Sequence, residues 1–393
     1  MIFPQPAPID DPPRQNDSPV FLHTGWRSRG TWIWTGLRSD PRALALYEPL
    51  HEVLATLTPQ AITALRTDSW SSGHAAMPPY WSEFAALLRP GVVGVPGYQY
   101  RFATEDAFAG PARVQPGLAA YLRGLLDHAA AARRVPVLKF CRSMGRVAWM
   151  QASFPEALHV VVLRRPDAQW ASIRHQIEAH ANPYFMVMLL VVLAQNAAAP
   201  RVAQACQALR VALPQVRRGN LGRAIETCDE MMRQLSWADC YRSFLAYWVA
   251  CVLSDLGTDC LMVEADMLLR SAECRQDMAA LFARRSGLCL ALQADPSRSD
   301  IAPSALGREE QVAQRAAMEL LQEHRMALRL DGYLLAWNLL AAGLAGPDPT
   351  AMHDNESSSG GPEIPAPGDG SANPGASAGL WTCRPDDRAI APG

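Results

Sequence analysis

The sequence lacks the marks of several common protein classes. Its nine cysteines, at 141, 206, 228, 240, 251, 260, 274, 289 and 383, form no CxxC pair and are odd in number. That argues against a zinc ribbon or a disulfide framework, and reads as reduced, mostly buried thiols in a cytoplasmic protein. No His/Cys/Asp cluster has ligand spacing, so no metal is expected. The net charge is only −2, and without a global basic field nucleic acid is not an expected partner. No glycine is followed by Lys-Ser or Lys-Thr, which excludes a P-loop. The most apolar run, YFMVMLLVVLA at 184–194, is too short to cross a bilayer at about 1.5 Å per residue and reads as a buried helix. The start, MIFPQPAPIDDPPRQNDSP, is Pro-rich and acidic, unlike a signal peptide. No internal repeat is visible.

What is present suffices for one large core or two modest ones: 393 residues, 49% of them hydrophobic. Residues 1–18 read as a disordered arm. Residues 347–393, rich in Pro, Gly, Ser and Asp, bury too little apolar surface to offset ordering and read as a disordered tail. The domain is expected over 19–346. Short, continuously apolar runs at 20–23, 135–140, 158–163 and 259–264, and a weaker one at 91–96, suit strands covered on both faces. Helical patterns fall at 31–38, 50–57, 117–132, 145–153, 167–180, 184–212, 222–235, 239–256, 272–285 and 308–340. The expected class is α/β, with a central parallel sheet flanked by helices and a helical insertion over about 173–256.

Ligands of open parallel sheets bind beyond the carboxyl ends of the strands. The expected exits there read TGWRSRGTW, CRSMGR, RRPDAQWAS and ADMLLR, and three of the four carry Arg and Ser together. A nearly neutral protein with cations clustered at one sheet edge is suited to an anion. At the first exit, Thr31 and Trp32 should open a helix whose free N–H groups face the turn. Arg27 adds a planar fork, Arg29 a second cation, and Ser28 and Thr31 hydroxyl donors. At the later exit, Pro166 and Asp167 suit a helix start. Arg164 at the strand tip and Ser172 two turns on can hold one phosphate between them. A solvated Arg-rich turn is the plainer alternative for each.

Taken together, these two stretches resemble the sulfotransferases that use 3′-phosphoadenosine 5′-phosphosulfate (PAPS). The family's first loop, roughly Pro-Lys/Arg-Ser-Gly-Thr-Thr-Trp/Leu, is matched without a gap by Trp26-Arg27-Ser28-Arg29-Gly30-Thr31-Trp32. Its later Arg-x-Pro-x-x-x-x-x-Ser is matched by Arg164, Pro166 and Ser172. PVLKFCRS, FPEALHVVVLRRP and LMVEADML also resemble family segments, so the likeness covers roughly 19–290. Trp26 in place of Pro, and Arg29-Gly30 in place of Gly-Thr, predict a bulkier and more basic loop.

The resemblance implies the P-loop-kinase-like sulfotransferase fold and sulfuryl transfer from PAPS, as co-substrate, to a hydroxyl of a carbohydrate, phenol or lipid. It implies that Arg27, Ser28, Arg29, Gly30, Thr31 and Trp32 hold the 5′-phosphosulfate, and that Arg164 and Ser172 hold the 3′-phosphate. The histidine base of the eukaryotic cytosolic branch is absent, because Phe140 and Cys141 follow Lys139. The glutamate-base branch, with its bacterial members, is the closer likeness and makes Glu48 the candidate base. Glu52 and His51 stand behind it. Arg27 and Lys139 would stabilise charge on the sulfonate and the leaving phosphate, or else Lys139 extends from the sheet edge into water; Arg142 would serve the sulfonate or an acidic acceptor. Trp32 would stack on adenine or join the core. RRGNLG at 217–222 reads as a helix cap and loop, while Arg298 and Arg308 are better placed for a nucleotide lid. Trp70, Tyr80, Trp81, Tyr98 and Tyr100 are candidates for an acceptor pocket. The rivals are a noncatalytic nucleotide-binding protein and a kinase-like phosphotransferase. The second would need a Walker lysine and magnesium ligands that the sequence lacks.

Deleting 347–393 should leave the melting temperature and nucleotide binding nearly unchanged; a large drop in a thermal melt would show that Leu380 or Trp381 docks on the domain.

Overall fold

Five apolar segments pair into one parallel sheet in the computed structural model, which describes residues 17–64, 79–255, 257–292 and 305–345. They are β1 (Val20–Thr24), β2 (Ala43–Tyr47), β3 (Val135–Phe140), β4 (Leu158–Leu163) and β5 (Leu261–Glu264). Their order is β2-β3-β1-β4-β5, and all the pairings are parallel. Every strand therefore ends at the same edge. The helices are α1 (Gly30–Arg38), α2 (Pro59–Ala64), α3 (Arg101–Thr104), α4 (Pro116–Ala131), α5 (Val147–Ser153), α6 (Pro166–His180) and α7 (Tyr184–Gln195) in the first half. They continue with α8 (Pro200–Ala208), α9 (Leu221–Met232), α10 (Trp237–Asp255), α11 (Ala265–Arg270), α12 (Ala272–Ser286), α13 (Arg308–Glu323) and α14 (Leu330–Ala345).

The expected α/β class is the observed one, and β3 and β4 lie where their apolar runs put them. Three readings need correction. GVVGVP at 91–96 is a turn: Gly91 and Gly94 take positive φ, and Val92 and Val93 are exposed. The remaining strand is ALALY, buried along its length as β2. The expected helix at 50–57 is only a 3₁₀ turn at Glu52–Ala55. The long patterns at 184–212 and 308–340 each break in two, at 195–200 and 323–330. The arm and tail expected at 1–18 and 347–393 lie almost wholly outside the described residues.

One core cluster joins β1, β2 and β3 to α1 and α4 through Trp34, Leu37, Leu122 and Leu138. The second joins Val161 and Leu163 of β4 to α6, α7 and α10. Each fully buried Leu or Val contributes about 1.5–3 kcal/mol relative to exposure. From Met186 to Gln195 α7 is buried on every face, as an all-apolar helix must be. Among the described residues no single helix is long and apolar enough to cross a membrane. Five of the eight described cysteines are buried and all eight are free.

A polar chain runs through this apolar interior. His159 Nε2 lies 3.0 Å from the Phe154 carbonyl, which can only accept, so that nitrogen carries the proton. His159 Nδ1 then accepts from His23 Nε2 at 3.0 Å, and His23 Nδ1 accepts from Ser143 Oγ at 2.7 Å. Burial holds both imidazole pKa values below the ordinary range, and for His23 the neighbouring His159 adds to it. The chain fixes the loop after β3 to the sheet. The unfolded chain takes up protons at these imidazoles near pH 6.5 and the folded chain resists them. Stability should thus be full above pH 6.5 and decline below it, by up to about 1.4 kcal/mol per pH unit for each histidine. Urea unfolding at pH 7.5, 6.5 and 5.5 reads this directly. A flat profile would contradict a neutral pair.

Candidate functional site

Read along the common edge from β2 to β5, the first residues past the strands are Glu48, then Cys141 and Arg142, then the loop 25–29, then Arg164, then Asp266. The chain leaves β1 toward β2 on one side, and leaves β4 toward β5 on the other. The connections diverge between β1 and β4, and such a switch point opens a crevice.

The loop after β1 is tightly wound. Arg27 and Arg29 adopt left-handed conformations, φ 62° and 64°, on either side of Ser28. Alternation of this kind turns successive N–H groups inward as an anion-binding nest. Helix α1 opens one residue earlier than expected, at Gly30, and its N-cap is Arg29, without a side-chain cap. Only glycine fits at 30, because a Cβ there would lie 2.4 Å from Thr24 Cγ2. The Ser28 hydroxyl donates to the Gly25 carbonyl at 2.8 Å and closes the turn. Thr31 Oγ1 lies 3.4 Å from the Tyr47 hydroxyl, and Trp32 packs partly buried against the core.

The loop after β4 meets this nest. Arg27 Nε donates to Ser172 Oγ at 2.8 Å, and Arg164 Nη1 donates to the Arg27 carbonyl at 3.1 Å. Asp266, after β5, accepts from Arg29 Nε at 2.9 Å and Arg164 Nε at 3.2 Å through one oxygen. Burial works against its charge, but Arg164 and Arg29 outweigh burial and hold its pKa below the usual carboxylate range.

Next to the nest, across β3, lies a buried charge cluster. Glu48 is 3% exposed and Lys139 1% exposed. Lys139 Nζ donates to Glu48 Oε1 at 2.6 Å, while Glu48 N donates to the Lys139 carbonyl at 2.8 Å. The Cys141 N–H reaches Glu48 Oε2 at 3.0 Å, and Arg142 Nη1 stands 3.4 Å from the same oxygen. Burial pushes the Glu48 pKa up; Lys139 and Arg142 more than reverse that, so the group is a carboxylate at neutral pH. Burial likewise opposes the Lys139 ammonium, and Cys141 and Glu48 lift it well above its ordinary value. The Cys141 thiol, 2.9 Å from Lys139 Nζ, is pushed up to about 11, mainly by burial, and keeps its proton. Arg142 also pairs with Glu52 at 2.8 Å and donates to the Tyr184 hydroxyl. His51 Nδ1 accepts from the Val53 N–H, which leaves the proton on Nε2 for Tyr184 Oη at 3.1 Å. Tyr184 Oη in turn donates to Glu52 Oε1 at 2.6 Å. Burial takes His51 down to about 4; against burial, Arg142 and His51 take Glu52 down to about 2.

All the described site residues thus lie on one edge, in two groups joined through Thr31 and Tyr47. Other expectations fare differently. Tyr80 and Trp81 are core, the first stacked on Tyr47 and the second meeting it edge-on, and Tyr98 donates to the Leu50 carbonyl. Tyr100 is 46% exposed, so these aromatics do not line one pocket. Trp70 and Arg298 lie outside the described residues. Arg308 is exposed at the start of α13, and Asn220 of RRGNLG caps α9 as read. Sequence reasoning missed Tyr184, taken only as the start of an apolar helix, and the bridging part of Asp266. It also passed over a countable signal: Lys139 is the single lysine among 36 basic residues. Among the described residues no group of three or more His, Cys, Asp or Glu could hold a metal ion.

No family model matches the chain, and no curated protein matches it. Among solved structures it is similar to the crystal structure of sulfotransferase STF1 from Mycobacterium tuberculosis H37Rv. The identity is 16% and the TM-score 0.31, over 84% of this chain and 76% of that one.

Breaking one side of a buried ion pair leaves an uncompensated charge, at about 3–5 kcal/mol. Lys139→Met should therefore destabilise the fold by about 3 kcal/mol, and adding Glu48→Gln should recover part of the loss. A double variant whose loss equals the sum of the losses of Lys139→Met and Glu48→Gln, by urea unfolding, would show that the two groups are not coupled.

Proposed function

We propose that the protein is a PAPS-dependent sulfotransferase. The observation that carries the reading is the contact between Arg27 and Ser172. It joins a nest at a helix N-terminus to an Arg/Ser pair at the sheet's switch point, as a ligand with an anion at each end requires. In this reading the nest and the N-terminus of α1 take the 5′-phosphosulfate, and Arg164 and Ser172 take the 3′-phosphate.

The chemistry falls to the neighbouring cluster. An acceptor hydroxyl attacks sulfur in line, the bond from sulfur to the phosphate oxygen breaks, and adenosine 3′,5′-bisphosphate leaves. Glu48, already ionised, takes the hydroxyl proton. For that, Oε1 must exchange Lys139 for the acceptor, which frees the ammonium for the sulfonate or the leaving phosphate. Cys141 N–H and Arg142 keep Oε2 engaged, so the carboxylate stays oriented while its partner changes. The acceptor carries a hydroxyl, as a carbohydrate, a phenol or a lipid does.

The test is transfer of label from sulfur-labelled PAPS into an extract of the host, with mass spectrometry of the labelled products. Glu48→Gln, assayed below its melting temperature, should lower turnover about 10²–10⁴-fold while leaving bisphosphate affinity nearly unchanged. Arg164→Ala should weaken adenosine 3′,5′-bisphosphate about ten- to a hundredfold. Full activity in Glu48→Gln would pass the role to Glu52 or His51. Binding of the bisphosphate without transfer to any acceptor would favour a noncatalytic binding protein.

A further inference from the structure

Three arginines from two loops converge at the switch point, and each engages the protein through Nε. Arg27 gives it to Ser172, and Arg29 and Arg164 give theirs to a single oxygen of Asp266. Two guanidinium groups drawn onto one oxygen atom repel each other, and the carboxylate between them offsets that repulsion. Asp266 is buried, 7% exposed, and it stands two residues past the end of β5. The register of β5 on β4 sets Glu264 opposite Leu163, so the chain beyond β5 runs beside Arg164. Asp266 thus ties the loop after β1 to the loop after β4 from a third element. A phosphate monoester carries close to two negative charges at neutral pH, whereas a ribose hydroxyl carries none, so only the phosphate gains from cations held at a fixed spacing.

We infer that Asp266 is a positioning residue for nucleotide selectivity: it sets the spacing of Arg29 and Arg164 so that the edge discriminates a 3′-phosphorylated nucleotide from one without that phosphate. The inference rests on the nucleotide reading above. A carboxylate that merely occupied the phosphate's place would act in the opposite sense, and its removal would tighten binding. The sign of the effect therefore separates the two roles.

The experiment measures adenosine 3′,5′-bisphosphate and AMP on the full chain by titration calorimetry. Wild type, Asp266→Asn and Asp266→Glu are compared, with circular dichroism as the check of fold. Asp266→Asn should weaken the bisphosphate about ten- to a hundredfold, since it loosens charge-assisted hydrogen bonds to the phosphate, and AMP by less than about threefold. In the transfer assay the KM for PAPS should rise by a similar factor while kcat stays within about twofold, a split that general loss of structure does not produce. Asp266→Glu keeps the charge and displaces the oxygen by one methylene. It should fold as wild type and lose part of the selectivity, which keeps the inference testable if the asparagine variant fails to fold. Unchanged or tighter bisphosphate binding in either folded variant would overturn the inference. A wild type that binds AMP and the bisphosphate equally would overturn the nucleotide reading itself.

Discussion

The buried pair between Glu48 and Lys139 organises the edge of the sheet. It is made twice over: the Glu48 N–H bonds the Lys139 carbonyl, and the Lys139 ammonium bonds the Glu48 carboxylate. Two charges at the tips of adjacent strands survive burial because they pair with each other and both carboxylate oxygens are engaged by donors. The second carboxylate oxygen takes the Cys141 N–H and faces Arg142, so the loop after β3 is fixed by the same group that ends β2. Arg142 carries the constraint on to Glu52 and Tyr184, and so to the start of α7. Below the loop, Ser143 is bonded to His23 and through it to His159. The loop that grips Glu48 is therefore clamped from both sides, by charge above and by a neutral hydrogen-bonded chain beneath.

Backbone strain collects at the same edge. Of the seven described non-glycine residues with positive φ, three are Arg27, Arg29 and Glu48. Each costs on the order of 1 kcal/mol relative to a relaxed conformation. The surroundings hold them there. Gly30 lets the nest close on Thr24, and Thr24 in turn donates to the Phe140 carbonyl at 2.7 Å. Strain concentrated where a nest and a buried carboxylate lie side by side is what a pre-organised polar site requires, because the groups are held before a ligand arrives.

How much of this was legible in the sequence differs by element. VPVLKF and LHVVVL are continuous apolar runs of strand length, and each proved to be a strand along its whole length. ALALY was missed because two of its five residues are alanine, which signals no strand, and because Pro41 and Pro49 crowd its ends. GVVGVP misled in the opposite way: valines suggested a strand, while the glycines between them serve left-handed turns. The two Arg/Ser exits were readable, since strand-to-helix turns place their residues locally. Their contact with each other, and the arginine pair on Asp266, join positions more than a hundred residues apart and have no local signature.

The chain's use of its cations follows the same division. Arginine supplies all but one of the 36 basic residues, and it fills the edge where planar forks can hold fixed positions. Each of Arg27, Arg29 and Arg164 is tied through Nε to a side chain of the protein, which sets the plane of the fork. The one lysine stands where a fork would be a hindrance. Its ammonium is a compact charge on a flexible stem, flanked by Glu48, the Cys141 thiol and the face of the Tyr47 ring at 4.5 Å. A charge of that kind can pivot from one anion to another without reorienting a plane. In the proposed reaction the arginines keep the nucleotide in place, and Lys139 moves from Glu48 toward the sulfonate as the acceptor proton moves to Glu48. Arginine at 139 would bring a bulkier fork into a space that is 1% exposed and already closed by three neighbours, so the distinction between the two cations is one of geometry rather than of charge.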